Sequence, residues 1–193
     1  MLPEGVTVLK RGAIIGTSSL RRALQLKALF PECGIRPVRG NLQTRLQKLD
    51  RGEVDALVLA AAGLKRLGLE ARISRAFEPD EIIPAAGQGI LAVQGRTGER
   101  CPWLEGYIDP VAAACATCER AYVRELDGGC TSPVCAFSTV RGETLYLRAL
   151  YWNPETGAVR KGTDQGPVGE AGTIGIRLAR RLRDGTDDGG NET

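Results

Sequence analysis

The chain has 193 residues, of which 42% are hydrophobic and 25% charged, as in soluble globular proteins with one large domain or two small ones. No apolar run reaches the roughly 18 residues that a membrane-spanning helix needs, and no secretory signal is present. A net charge of only +3 and an aromatic content of 5% argue against nucleic-acid binding. We therefore expect an intracellular protein that binds neither membranes nor nucleic acids.

The first part of the chain alternates between strand and helix patterns. The stretch AIIGTSSLRRALQLKALF, residues 13–30, predicts a short strand, a glycine turn and a helix capped by Ser18 or Ser19. IRPVRG predicts a second extended segment, and NLQTRLQKLDRGE predicts a helix that begins near Asn41 and stops at Gly52. VDALVLAAAGLKRL predicts a buried strand and a short helix. This alternation indicates an α/β domain with a largely parallel sheet.

Both of these helices carry apolar residues at helical spacing, which predicts the faces that they bury. The predicted inward faces are Leu20, Ala23, Leu24, Leu26 and Ala28 in the first helix, and Leu42, Leu46 and Leu49 in the second.

The second part of the chain predicts a smaller α+β unit. ILAVQ, residues 90–94, predicts a strand, and a helix is expected from about Pro110 to Leu126. The turns RGE and NPETG then separate alternating apolar segments, which indicates an antiparallel meander. A last helix, AGTIGIRLARRLRDG, precedes a polar tail, TDDGGNET, that we expect to be disordered.

Six cysteines are scattered through the chain, and two of them form a C-x-x-C at Cys115 and Cys118. This pair lies inside a helical pattern, and the chain contains no histidine and no second C-x-x-C. We therefore expect these cysteines to be small buried helix residues, and we expect no metal site.

Arginine outnumbers lysine by 21 to 5. The guanidinium group binds carboxylates and phosphates through two parallel hydrogen bonds, although a biased genome composition explains the excess equally well. Position favours function, because the carboxyl ends of parallel strands meet at one edge of a sheet. For GTSSLRR alone, a capped helix with two solvated arginines is the simpler explanation. Five arginines follow three successive predicted strands and predict a pocket for several carboxylates: Arg21, Arg22, Arg39, Arg45 and Arg66.

Cys130 follows a helix and two glycines in RELDGGCTSPV. Glycine is an ordinary helix stop, but two of them also let a bulky group approach the backbone beside the thiol. The thiol could act as a nucleophile or as an attachment point, and without histidine a Cys–His protease arrangement is excluded.

Five motifs together resemble the porphobilinogen deaminase family, also called hydroxymethylbilane synthases: GTSSLRR, RGNLQTRLQKLD, AAAGLKRLGL, PAAGQG and ERAYVRELDGGCTSPV. The resemblance runs from about Leu2 to Arg183. It implies a periplasmic-binding-protein-like α/β domain and a small α+β C-terminal domain with an antiparallel sheet. It also implies a transferase that condenses porphobilinogen into a linear tetrapyrrole for porphyrin, haem and chlorophyll biosynthesis, releasing ammonia.

The resemblance also implies roles for individual residues. Cys130 matches the cysteine that carries a dipyrromethane cofactor through a thioether, and this cofactor is the primer from which the chain grows. Gln88 matches a position near an interdomain hinge. The five arginines match positions that bind acetate and propionate arms, with Thr17, Ser19 and Asn41 as polar helpers.

The same resemblance implies that most of the family's first domain, with its catalytic aspartate, is not among these 193 residues. We assign residues 1–83 to the α/β domain, 84–109 to a crossover segment belonging to that first domain, and 110–193 to the small domain. ILAVQ would then lack a partner sheet, and we expect it to be mobile, repacked or paired with a second copy. No residue here matches the catalytic aspartate, so this chain is expected to be incomplete and inactive alone.

Two functions remain open. In the first, the chain is an enzyme of tetrapyrrole biosynthesis that acts on porphobilinogen. This enzyme is expected to be cytoplasmic or organellar, and monomeric when complete. The alternative is a non-catalytic module that binds carboxylates or other anions and derives from that enzyme.

Overall fold

The computed structural model describes residues 1–99, 102–104, 106–128 and 132–186. It divides the chain into two units, Met1–Ile82 and Ile83–Thr193, called unit 1 and unit 2 below. None of the helices in the described residues combines the length and the apolar character that crossing a membrane requires.

Unit 1 is a small α/β unit built on a three-stranded parallel sheet with the strand order β2-β1-β3. Its elements, in chain order, are β1 (Ile14–Gly16), α1 (Leu20–Leu29), β2 (Gly34–Arg36), α2 (Leu42–Asp50), β3 (Ala56–Leu57) and α3 (Ala61–Arg66). The predicted parallel α/β arrangement is confirmed.

Local sequence sets the helix boundaries in unit 1. The Ser19 side chain caps α1 by accepting from the Arg22 N–H, and the Asn41 side chain caps α2 by accepting from the Thr44 N–H. After α2, Gly52 has a φ of +74°, a left-handed conformation that ends a helix most easily at glycine.

The predicted apolar face of α1 is partly wrong. Leu20 is 60% exposed and Ala28 is exposed as well, whereas Gln25 and Leu26 are buried. The strands of this sheet have only two or three residues, about 10 Å at most, while the ten-residue helix is about 15 Å long. The sheet therefore covers the middle of α1 and leaves its ends in solvent. In α2, Leu46 and Leu49 are buried as predicted.

Unit 2 combines two helices with an antiparallel meander in the order β4-β5-β6. Its elements are α4 (Pro110–Glu125), β4 (Cys135–Arg141), β5 (Thr144–Trp152), β6 (Val159–Pro167) and α5 (Ala171–Asp184). Short 3₁₀ turns occur at Glu70–Arg72 in unit 1 and at Pro102–Leu104 and Val168–Glu170 in unit 2. The predicted helices and meander are confirmed.

The core of unit 2 lies between α4, α5 and the sheet. It includes the fully buried side chains of Tyr122, Leu145, Leu147, Ile174, Leu178 and Leu182. The two helices approach closely at Gly175, where an added Cβ would lie 2.3 Å from the Cys118 carbonyl oxygen. Only glycine allows this helix spacing.

The predicted strand at residues 90–94 is wrong, because these residues have no regular secondary structure. Leu91 is 84% exposed and Val93 is 65% exposed. A strand needs a neighbour for its N–H and C=O groups, and within the described ranges none pairs with this segment. The apolar pattern alone was therefore insufficient to make a strand. The tail predicted to be disordered lies, apart from Thr186, outside the described residues.

Candidate carboxylate-binding site

The carboxyl ends of the three parallel strands lie side by side in unit 1. Gly16, the last residue of β1, pairs in register with Arg36 of β2 and Leu57 of β3. The turns that leave these strands therefore begin at the same edge of the sheet, which is where ligands bind in parallel α/β sheets. These turns contain Thr17, Ser18, Ser19, Arg39 and Asn41.

The hydroxyl groups after β1 hold the turn in place. Thr17 is buried, its N–H donates to the Arg36 carbonyl at 2.9 Å, and its Oγ1 accepts from the Ser19 N–H at 3.3 Å. Ser18 Oγ donates to the Val38 carbonyl at 2.8 Å. Thr17 and Ser19 thus shape and cap the start of α1, whose N-terminal N–H groups favour an anion.

Arg21, Arg22 and Arg45 form the arginine cluster. Arg22 Nη1 donates to the carbonyl of Val58, just beyond β3, at 3.2 Å. Burial lowers the pKa of Arg22, and the positive charges of Arg21 and Arg45 lower this pKa further. Guanidinium groups repel one another measurably only when they are close, so α1 and α2 bring these three charges together.

No carboxylate balances this charge within the part of the chain that the structure describes. None of the three arginines of the cluster forms an ion pair there, whereas other arginines do, such as Arg72 with Asp50 at 2.6 Å. An unbalanced group of guanidinium donors at a helix N-terminus attracts carboxylates or phosphates.

The turn before α2 orients Arg45. Its Nε donates to the Gly40 carbonyl at 2.8 Å, and Gly40 has a φ of +121°. Asn41 Oδ1 accepts from both the N–H and the hydroxyl of Thr44, at 2.8 and 2.9 Å. An added Cβ on Gly40 would lie 2.8 Å from the Thr44 side chain, so glycine is required for this turn.

The other two candidate arginines lie apart from these contacts. Arg39 is exposed in the loop between β2 and α2, where its carbonyl accepts from Lys48 Nζ at 3.4 Å. Arg66 is exposed at the last residue of α3. Neither contributes to the lowered pKa of Arg22. The arginine cluster therefore contains three of the five candidate arginines.

Two further candidates belong to unit 2. Gln88 is exposed, and its N–H donates to the Ala85 carbonyl at 3.0 Å. Cys130 lies outside the described residues.

The two buried cysteines of α4 are inaccessible to a substrate. Cys115 and Cys118 are buried on α4 as predicted, and burial raises the pKa of the Cys118 thiol to about 12. A thiol with such a pKa stays protonated near neutral pH. Within the described residues, no group of three or more His, Cys, Asp or Glu side chains could hold a metal ion.

A cavity of about 360 Å³ in unit 1 is separate from the arginine cluster. Its lining is mostly apolar and includes Ile15, Leu26 and Phe30, and it contains none of the five candidate arginines. The cavity and the arginine cluster are therefore two distinct features of unit 1.

The sequence analysis did not identify a buried charged residue, Glu119. Glu119 is 3% exposed, and its carboxylate accepts hydrogen bonds from Ser138 and Gly87. The signal was a glutamate in line with the buried positions Cys115 and Tyr122 of α4, since a charged residue on a buried face needs hydrogen-bonding partners.

Two family profiles match the chain. One, described as "Porphobilinogen deaminase, dipyromethane cofactor binding domain", covers residues 3–101. The other, described as "Porphobilinogen deaminase, C-terminal domain", covers residues 113–184. The first includes the arginine cluster, and the second includes most of α4, the meander and α5.

Curated bacterial proteins named porphobilinogen deaminase are similar over most of this chain. One from Ruminiclostridium josui is 49% identical over 174 residues, which are 90% of this chain and 60% of that protein. One from Chromobacterium violaceum is 45% identical over 183 residues, 94% of this chain and 59% of that protein. The chain thus spans about 60% of the length of these relatives.

Proposed function

Because the chain belongs to the porphobilinogen deaminase family, we propose that it is part of a transferase of tetrapyrrole biosynthesis. The proposed reaction joins porphobilinogen units into a linear tetrapyrrole and releases ammonia. The observation that carries this proposal is the arginine cluster, which collects positive charge at one edge of the sheet without a carboxylate partner in the described residues. Each pyrrole unit brings acetate and propionate groups that need such donors.

The residues present suit the dipyrromethane cofactor named by the matching profile. Its carboxylates require charged donors with two parallel N–H groups, and arginine has that geometry. Arg21, Arg22 and Arg45 are the proposed ligands, and the N-terminus of α1 adds N–H donors. Arg39 and Arg66 are proposed to bind arms of a longer chain from the same edge of the sheet.

Cys130 is the proposed attachment point, through a thioether. When bound, the cofactor supplies the primer to which pyrrole units are joined. The protein's own contribution is to hold the carboxylate arms through the arginine cluster. Thr17, Ser19 and Asn41 contribute by fixing the helix starts from which Arg21, Arg22 and Arg45 project.

We expect the 193 residues by themselves to bind carboxylated pyrroles without turning them over. Loss of ammonia from porphobilinogen needs a group that transfers protons and stabilises a cationic intermediate, for which a carboxylate is suited. No carboxylate of the described residues pairs with the arginine cluster. We also propose that the enzyme is cytoplasmic and monomeric.

A non-catalytic carboxylate-binding module is the second candidate function. It is favoured by the same absence of an acidic group beside the cluster in the described part of the chain. The two candidates differ in whether Cys130 becomes modified, because a binding module needs no covalent cofactor.

Mass spectrometry of the intact protein tests the proposal. When the protein is produced together with the part of the Ruminiclostridium josui relative that it does not match, in a host that makes porphobilinogen, we expect it to carry the extra mass of two pyrrole units. Cys130→Ser should abolish this extra mass, while Cys33→Ser, at a half-buried cysteine of unit 1, should retain it. Extra mass that persists in Cys130→Ser contradicts the proposed attachment. An unmodified protein that still binds porphobilinogen in calorimetry supports the binding module instead.

A further inference from the structure

Residues 83–88, the sequence IPAAGQ, contact the rest of unit 2 at three points. Ile83 is buried against Cys135 and Leu150, and Ala86 packs against the main core of unit 2. The third point is the Gly87 N–H, which donates to Glu119 Oε2 at 2.6 Å. We call residues 83–88 the anchored segment.

Glu119 also accepts hydrogen bonds from the edge strand of the meander. Strand β4 is an edge strand, and its Ser138 N–H donates to Glu119 Oε1 at 2.8 Å. The Ser138 hydroxyl donates to the same oxygen at 2.8 Å. Oε1 of Glu119 thus bonds the edge of β4, and Oε2 bonds the anchored segment.

In the part of the chain that the structure describes, the carboxylate accepts hydrogen bonds from neutral donors only. Glu119 is 3% exposed and Ser138 is 5% exposed, and within the described residues Glu119 forms no ion pair. A buried carboxylate is stable only when hydrogen bonds replace its water, so loss of the Gly87 donor would leave one oxygen unsatisfied. Release of the anchored segment is therefore unfavourable.

We propose that Glu119 is a positioning residue that fixes the Gly87–Gln88 turn on unit 2. Gln88, which directly follows Gly87, is then carried by the unit whose sequence includes Cys130. Residues 84–88 are accordingly proposed to belong to the small domain, although the sequence analysis assigned them to the crossover segment 84–109. Only the expected role of Gln88 near an interdomain hinge rests on the proposed function. The contact between the anchored segment and Glu119 is a property of unit 2.

The experiment measures amide hydrogen exchange by NMR in the full chain. In the unmodified protein, the Gly87 amide should be protected to a degree similar to that of Ser138, and far more than that of Leu91. In Glu119→Gln, whose amide has a single acceptor oxygen, protection of Gly87 should fall roughly ten- to hundred-fold. The Gly87 amide proton should also shift upfield, because its charge-assisted bond is lost. Amides of β5 should keep their protection.

Ser138→Ala is the matched control. It removes the hydroxyl bond to Oε1 but leaves the Gly87 bond to Oε2, so Gly87 should stay protected. An equal loss of protection throughout α4 and the meander in Glu119→Gln would mean a general core role and would overturn the proposal. If Glu119→Gln does not fold, the unmodified protein still decides, since Gly87 exchanging as fast as Leu91 overturns the proposal.

Mass spectrometry of Cys130 separates this proposal from the proposed function. A protected Gly87 that depends on Glu119, in a protein with unmodified Cys130, supports the anchor while the cofactor assignment fails. Dipyrromethane on Cys130 together with an unprotected Gly87 contradicts the proposed role of Glu119 and leaves the proposed function intact.

Discussion

Single hydrogen bonds to backbone carbonyls hold two arginines of the cluster in place. Arg22 bonds the Val58 carbonyl through Nη1, and Arg45 bonds the Gly40 carbonyl through Nε. Among the described residues neither guanidinium makes another hydrogen bond, so its remaining N–H groups are available to the proposed ligand. Because these side chains are already ordered, less conformational entropy is lost when carboxylates bind.

Arg21→Lys should weaken binding of a carboxylated pyrrole by roughly ten-fold or more, because a planar fork with two parallel donors becomes a single ammonium group. Isothermal titration with porphobilinogen measures the change. Arg11→Lys is the control, since Arg11 is largely exposed and pairs with Glu32 at 2.7 Å. Unchanged affinity in Arg21→Lys would remove Arg21 from the site.

At the scale of elements, the contact between α4 and α5 determines the packing of unit 2. Gly175 faces the α4 backbone, where an added Cβ would lie 2.3 Å from the Cys118 carbonyl oxygen and 2.9 Å from the Tyr122 nitrogen. Both atoms belong to helix backbone, so they cannot move aside as a flexible side chain would. The glycine therefore sets the distance between the helices.

Gly175→Ala should destabilise unit 2 by about 3 kcal/mol, because the methyl group forces α5 away from α4. Gly172→Ala, in the first turn of the same helix, should instead be stabilising by about 0.5–1 kcal/mol, since its Cβ meets only a Thr117 methyl group at 4.0 Å. Urea unfolding followed by circular dichroism gives both values. Similar midpoints for the two variants would contradict the close approach.

Residues 89–96 illustrate an element that needs a neighbour. The side chains of Leu91 and Val93 are exposed, and within the described residues the Ile90 N–H bonds the Gly87 carbonyl, in a turn, at 3.1 Å. We expect their amides to exchange with little protection in a monomer, in contrast to the Gly87 amide. Hydrogen exchange with mass spectrometry, with sedimentation to establish the monomer, checks this. Strong protection of this segment in a monomer would be inconsistent with the observed fold.

At the scale of the whole molecule, the two units have separate cores. The clusters around Leu49 and Leu26 consist of residues from unit 1, and those around Tyr122 and Leu150 consist of residues from unit 2. Cys118 belongs to the main core of unit 2.

Alkaline pH should destabilise unit 2 through Cys118. Its pKa in the folded protein is raised to about 12 by burial, whereas a thiol in the unfolded chain ionises near 9. Below pH 9 the thiol is protonated in both states. As the pH rises above 9 the unfolded chain loses this proton first, so stability falls by about 1.4 kcal/mol per pH unit until the folded thiol ionises.

Chemical denaturation at several pH values between 8 and 11 measures this dependence. Cys118→Ala should reduce the slope, and Cys33→Ala should leave it unchanged. Other groups titrate in this range, so the difference in slope between the variants is the decisive quantity. Equal slopes in all three proteins would show that the Cys118 thiol is not protected by burial.

The sequence by itself determined the order and type of most elements and the position of the arginines. Ser19 and Asn41 cap helices through their own side chains, and the turns of the meander depend on local glycine and asparagine residues, so these features can be recognised within a few residues. The placement of GTSSLRR and RGN at successive strand ends follows from the same local patterns.

Only the tertiary structure decided which residues meet. The burial of Gln25 in place of Leu20 depends on how far the short strands extend beneath α1, and residues 90–94 form no strand because a strand requires a partner. The grouping of Arg21, Arg22 and Arg45, and the bonds from Glu119 to Gly87 and Ser138, join residues distant in the chain. Such contacts arise from packing, whose free energy depends on the whole fold and not on neighbouring residues.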